Sequence, residues 1–276
     1  MARVEPRRLI VNADDFGRTP AHNEAVARAH REGILTTASL MVNEPAAGEA
    51  VALARQLPRL GVGLHLTLVC GRAALPSTQP PGLTDAEGRF DSNPVRAGLR
   101  YFFRRDLRRA LEAEIRAQFD RFAQTGLPLD HINGHLNIHL HPTVFALLLA
   151  AGPTDRPVGF RLTRDRFWLQ ARLAPGRWAY RISHAIIFAL LAARARPQLR
   201  QTAWRSPRHV FGLLQDGRVE ENWLEALLPR LPAGDSELYA HPSTVEAPHE
   251  LAALTSARVR RMLEREHIQL IRYQDL

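Results

Sequence analysis

Polar and apolar residues alternate without a break between His131 and Leu140. His131, Asn133, His135, Asn137, His139 and His141 take the odd positions; Ile132, Leu136, Ile138 and Leu140 take even ones. A period of two is that of a β-strand with one polar and one apolar face. His131, His135 and His139 also stand four apart, the spacing of a helix face, but Gly134 weakens a helix. The pattern therefore predicts an extended segment from Leu129 into this stretch. Pro142 then suits the first turn of a helix over 143–151. A polar row thus ends a strand just where a helix begins.

The same strand-then-helix rhythm recurs. Segment 8–14 carries Leu-Ile-Val and reads as a short buried strand; Pro20 opens a helix to 31, which Gly33 closes. Segment 36–43 is a second strand, Pro45 opens a helix to about 57, and 61–68 is a third strand. Pro76, Pro80, Pro81, Gly82 and Gly88 predict a long loop over 69–104. Leu107, Leu111, Ile115, Phe119 and Phe122 then repeat at helical spacing over 106–124. Strands five to seven fall at 157–163, 209–214 and 237–240, helices at 219–228 and 250–266, and 268–273 reads as an eighth strand. Alternating elements of this kind predict an α/β fold. Their number predicts a distorted or incomplete TIM-like (β/α) barrel over 1–276 as one domain. An open doubly wound sheet is the alternative.

Charge changes this picture in one place. The net charge is +9, and all 37 basic residues are arginine, which excludes a lysine Schiff base or a P-loop lysine. Segment 164–208 holds ten of these arginines against one acid, Asp165, while the rest of the chain balances. So uneven a distribution argues against a nucleic-acid binder and marks 164–208 as a helical insertion between strands five and six. The single cysteine, Cys70, excludes an internal disulfide framework and a thiolate metal cluster. With no signal-peptide core before the first strand, this points to the cytoplasm.

In a parallel barrel, chemistry gathers at the C-terminal ends of the strands. There the pattern places Asp14 and Asp15 on strand one, His65 on strand three, His131 and His135 on strand four, Arg161 on strand five and His241 on strand seven. Each alone has an ordinary explanation as a cap, a core histidine or a loop residue; their convergence on one rim points to a site. Two histidines and a carboxylate leave open positions on a metal for water and a substrate oxygen. A second carboxylate and a distant histidine would serve as base and acid. This is hydrolase logic, although the same ligand set also suits iron in an oxygenase, and a phosphoesterase fits the same barrel.

Four stretches together resemble the successive motifs of the YdjC-like (ChbG-type) carbohydrate deacetylases. They are Asn12-Ala13-Asp14-Asp15-Phe16-Gly17, Gly63-Leu64-His65-Leu66, the run from His131 to His139, and Ala240-His241-Pro242. They occur in the family's order across 8–242, and the resemblance is closest to the hopanoid-associated HpnK branch. It implies a distorted β/α barrel, one divalent metal (zinc or magnesium) and removal of acetyl from an N-acetylated amino sugar, with an N-acetylglucosaminyl hopanoid lipid expected for that branch. By motif position, Asp15, His65 and His135 would hold the metal, Asp14 would be the base and His241 the acid. Arg161, His131 and His139 are expected to line the substrate cleft. Asn133 stands where many members carry aspartate, which bears on metal affinity if that position tunes a ligand histidine.

A lipid substrate would give the basic segment a purpose. Its longest uncharged run, 182–193, is too short to span a bilayer. Flanking arginines with Trp168, Trp178 and Tyr180 suit an anionic membrane surface. Segment 168–208 is therefore expected to touch the inner face of the membrane; packing on the barrel or a homodimer contact is the alternative. A sugar- or lipid-binding protein without activity is a further alternative, against which the complete set of Asp14, Asp15, His65, His135 and His241 argues.

Overall fold

The computed structural model describes residues 5–76 and 82–276. Eight strands form one all-parallel sheet: β1 (Arg7–Phe16), β2 (Thr37–Leu40), β3 (Gly61–Leu66), β4 (Leu129–Gly134), β5 (Gly159–Phe160), β6 (His209–Phe211), β7 (Gly234–Ala240) and β8 (Ile268–Ile271). The order is β5-β4-β3-β2-β1-β7-β6, with β8 also paired to β1. On one side β1 meets β7 along Arg7–Ala13; its other partners are β8 at Arg7–Ile10 and β2 from Asn12 onward. Between the two ends of this order runs a bridge from Gly159 in β5 to Arg205, just before β6. The sheet is thus a curled parallel half-barrel, in line with the distorted TIM-like expectation. Strand β8 does not close the wall, because β7 already occupies the flank of β1.

The helices are α1 (Pro20–Glu32), α2 (Ala47–Arg55), α3 (Pro94–Phe103), α4 (Arg108–Gln124), α5 (Pro142–Ala151), α6 (Phe167–Leu173), α7 (Trp178–Leu199), α8 (Glu221–Leu227), α9 (Pro248–Thr255) and α10 (Ala257–Arg265). Leu9, Val11, Leu40, Leu64, Leu238 and their neighbours on the sheet are fully buried in a core with residues of α1, α8 and α9. Helices α6 and α7 occupy the connection between β5 and β6.

Three expectations need correction. The long loop over 69–104 contains α3, whose start is marked by Asn93 accepting from the Val95 and Arg96 amides and by Pro94 in the first turn; Pro80 and Pro81 lie outside the described residues. The helix expected over 250–266 is two, because Ser256 leaves the helical region and caps α10 through the Arg258 and Val259 amides. Strand β4 stops at Gly134, and His135–Leu140 is a 3-10 segment kinked at Leu136 (φ 50°) and Asn137 (φ 56°). A leucine in the left-handed region is a strained backbone held by its surroundings. The alternation beyond Gly134 is therefore not a strand face, and His139 points to a different wall from His135.

Candidate active site

Strand β1 delivers two successive carboxylates to one place. In a regular strand Asp14 and Asp15 would point to opposite faces. Here the pairing of β1 with β2 shifts register between Ala13 and Phe16, and Asp15 has φ 63°. This irregularity re-aims the chain as a bulge does, and both side chains are buried beside the ends of β3, β4 and β7.

Asp15 Oδ1 lies 2.9 Å from His135 Nδ1 and 3.3 Å from His65 Nε2. Its Oδ2 accepts from Arg18 at 2.8 Å. Burial raises the Asp15 carboxyl's pKa, but His135 and His65 outweigh it and hold the group well below the usual range. Asp15, His65 and His135 each offer a ligand atom within 4.8 Å of the others.

Asn133 decides which His65 nitrogen is free. Its Nδ2 lies 3.2 Å from Asp14 Oδ1 and 2.8 Å from Ser39 Oγ. A carboxylate oxygen only accepts, so the amide nitrogen must face it, and the amide oxygen must face His65 Nδ1, at 2.7 Å. His65 then donates through Nδ1, and in the neutral ring Nε2 carries a lone pair. That Nε2 is buried and has no hydrogen-bond partner. With that ring neutral, the 3.3 Å approach to Asp15 would set a lone pair against a carboxylate oxygen, a contact that a cation between them relieves. The donor set of one carboxylate and two imidazoles suits a divalent metal, so the residues present fit the ion that the motifs imply.

Asp14 sits beside this triad. Arg161 grips it with two bonds, Nη1 to Oδ2 at 2.6 Å and Nη2 to Oδ1 at 2.9 Å, and Asn12 Nδ2 donates to Oδ1 at 2.8 Å. Burial raises the carboxyl's pKa, but the Arg161 charge, His65 and His241 together drive it far below the carboxylate range. His241 Nε2 stands 3.8 Å from Asp14 Oδ2, and its Nδ1 3.5 Å from Asp216 Oδ1. Burial lowers the imidazole's pKa, yet Asp216, Asp14, Asp15 and Glu250 carry it up to about 8. Its side chain keeps 27% exposure, an opening toward solvent that the triad lacks.

The three residues expected to line the cleft do something else. Arg161 is fully buried between Asp14 and Glu237, to which its Nη2 lies at 2.7 Å, and its guanidinium rests 4.0 Å over the Tyr239 ring. His131 is fully buried, bonded to Ser39 Oγ at 2.8 Å and Asp130 Oδ2 at 2.9 Å, and stacked on Tyr273. Gly63 and Gly159 make that stack possible, since a Cβ would come within 2.5 Å of the His131 ring at the first and of the Tyr273 ring at the second. His139 is fully buried against the Arg161 carbonyl, and burial pushes its pKa down to about 3. None of these three side chains has exposed surface in the structure. Pattern reading missed Asn12, Ser39, Asp216 and Tyr239. Asn12 lies inside the first motif and Asp216 just past the end of β6, where attention to strand ends would have found both.

A family model described as YdjC-like protein matches residues 8–265. The chain belongs to the YdjC-like family. The match takes in every site residue from Asp14 to His241. A carbohydrate deacetylase of Geobacillus stearothermophilus is 32% identical over 283 residues, 98% of each chain. One from Brevibacillus brevis is 44% identical over 142 residues, 51% of this chain and 54% of that protein. The match thus spans about half the length of the Brevibacillus relative and nearly all of the Geobacillus one. Among solved structures, an Enterococcus faecalis protein described as a cellobiose-phosphate cleavage protein has a similar fold, with a TM-score of 0.76 at 24% identity over 98% of both chains.

Proposed function

We propose that this protein is a metal-dependent hydrolase that removes the acetyl group from an N-acetylated amino sugar. The observation that carries it is the unpartnered His65 Nε2 aimed at Asp15 and His135, next to an ionised Asp14 and a protonated His241. Its direction is supported by the relatives' description as carbohydrate deacetylases.

Asp15, His65 and His135 would hold the ion. When bound, a divalent ion makes nearby water more acidic and polarises a carbonyl. Asp14 is ionised at neutral pH and, clamped by Arg161, is a weak base held in one orientation. It takes a proton from the attacking water. The water oxygen bonds to the acetyl carbon. His241, with a pKa near 8, enters protonated and gives its Nε2 proton to the departing nitrogen. The C–N bond breaks, leaving acetate and the free amine. General acid–base help of this kind is worth roughly 10² to 10⁴-fold.

A lipid-linked amino sugar, as expected of the HpnK-like branch, is the finer reading of the substrate. It is supported by apolar side chains at the surface of helices near the rim: Leu99, Phe102 and Phe103 on α3, and Ile186 and Leu190 on α7. Phe102 packs on His141, next to the kinked segment, and no helix among the described residues is long and apolar enough to cross a membrane. Contact with a membrane surface through 168–208 belongs to this reading. The test is acetate release from N-acetylglucosaminyl lipid and from chito-oligosaccharide, with and without chelator and with Asp14→Asn. Release from the oligosaccharide alone would reject the lipid reading, and chelator-insensitive release the metal.

A further inference from the structure

Away from the site, positive charge collects around a cavity of about 700 Å³ between α6, α7 and the start of β6. Arg164, Arg166, Arg172, Arg196, Arg208 and Arg230 line it. The one acid among the lining residues, Asp165, is already engaged. Its Oδ1 accepts from the Arg166 amide and Gln170, and its Oδ2 from the Leu214 amide. Burial pushes its carboxyl up to about 6. Arg208 pairs with Glu5. Among the described residues, the side chains of Arg164, Arg166, Arg172 and Arg196 make no hydrogen bond or ion pair. His209, at the edge, is lowered by burial and then by Arg166, Arg208 and Arg164. The cavity therefore holds a positive potential that the chain does not quench, and a concave wall focuses it.

We propose that this cavity binds a phosphorylated ligand with an apolar organic part. The guanidinium fork matches phosphate oxygens two at a time, and charge-assisted bonds of this type are the strong ones. Phe167, exposed Trp168, and Ala185 and Ala189 on α7 supply the apolar wall. The volume falls in the range of small-molecule sites, roughly 300–1,000 Å³. None of the lining residues belongs to the acetyl-hydrolysing site, so phosphate binding and acetate release fail independently; only the vesicle arm bears also on the membrane contact through 168–208. A soluble phosphate ester and a lipid headgroup share this chemistry.

Two arms separate those sources. Calorimetry follows phenyl phosphate binding to the full chain; sedimentation follows binding to phosphatidylcholine vesicles with and without phosphatidylglycerol. Binding in either arm, weakened at least about tenfold in Arg166→Gln/Arg196→Gln and falling steeply with salt, is the expected result. The arm that responds names the source. Circular dichroism checks the variant's fold, and the single change Arg172→Gln, on the exposed side of α6, serves if the double variant misfolds. No binding in either arm at millimolar phosphate or lipid, or equal binding by the variants, would overturn the proposal.

Discussion

Arg161→Met tests the support of the site most directly. The change keeps an unbranched side chain of related length but removes the cation shared by Asp14 and Glu237, all three being at least 97% buried. Two charge pairs at 2.6 and 2.7 Å are broken at once. Removing one partner of a buried pair leaves an uncompensated charge and costs about 3–5 kcal/mol. Asn12 and Asn133 still donate to Asp14, and Tyr273 OH still donates to Glu237, so the lower part of that range is expected. Neutralising Glu237 as well, in Arg161→Met/Glu237→Gln, should recover part of the loss, because one of the two stranded charges is gone. Urea unfolding at pH 7 with linear extrapolation measures both variants. A single variant within 1 kcal/mol of wild type, or a double variant less stable than the single one, would refute the claim that Arg161 is held by charge compensation.

Three further outcomes follow from the site. Activity should fall as pH rises through about 8, because His241 must enter protonated; Asp216→Asn removes the first of the charges raising that value and should move the alkaline limb of the kcat profile to lower pH. His139 has a folded pKa lowered to about 3 from 6.5, so its contribution is present above pH 6.5 and is lost as pH falls toward 3. Between pH 7 and 5 the loss is about 2 kcal/mol, and urea unfolding of His139→Phe should show a pH dependence shallower by that amount. Asn133→Leu removes the acceptor for His65 Nδ1–H and should weaken zinc binding about 10- to 100-fold by competition titration, with unchanged affinity arguing against the tautomer assignment.

What the amino-acid sequence determined by itself was local and periodic. The strand-helix alternation, the proline at the first turn of α1 and α5, and the polar ends of β1, β3, β4 and β7 are all set by nearest neighbours and by side-chain period. That was enough to put Asp14, Asp15, His65, His135 and His241 on one rim, since a parallel sheet gathers its strand ends. It was not enough past Gly134, where an unbroken alternation runs on through a backbone that has turned left-handed at Leu136. It also missed the start of α3 at Asn93-Pro94, hidden in a stretch dominated by turn residues.

Only the tertiary structure decided which polar residues meet a reacting group and which hold it up. His131 on β4 and Arg161 just past β5 look equivalent to His65 in any pattern, yet both are fully buried. The reason is geometric. A bulge at the end of β1 turns two adjacent carboxylates inward, and each meets partners from distant parts of the chain: Asp15 meets His135 just past β4, and Asp14 meets Arg161 just past β5. Which nitrogen of His65 is free depends on an amide from β4 that can face Asp14 in only one orientation. No run of sequence contains that information, because it lies in the distances between strands.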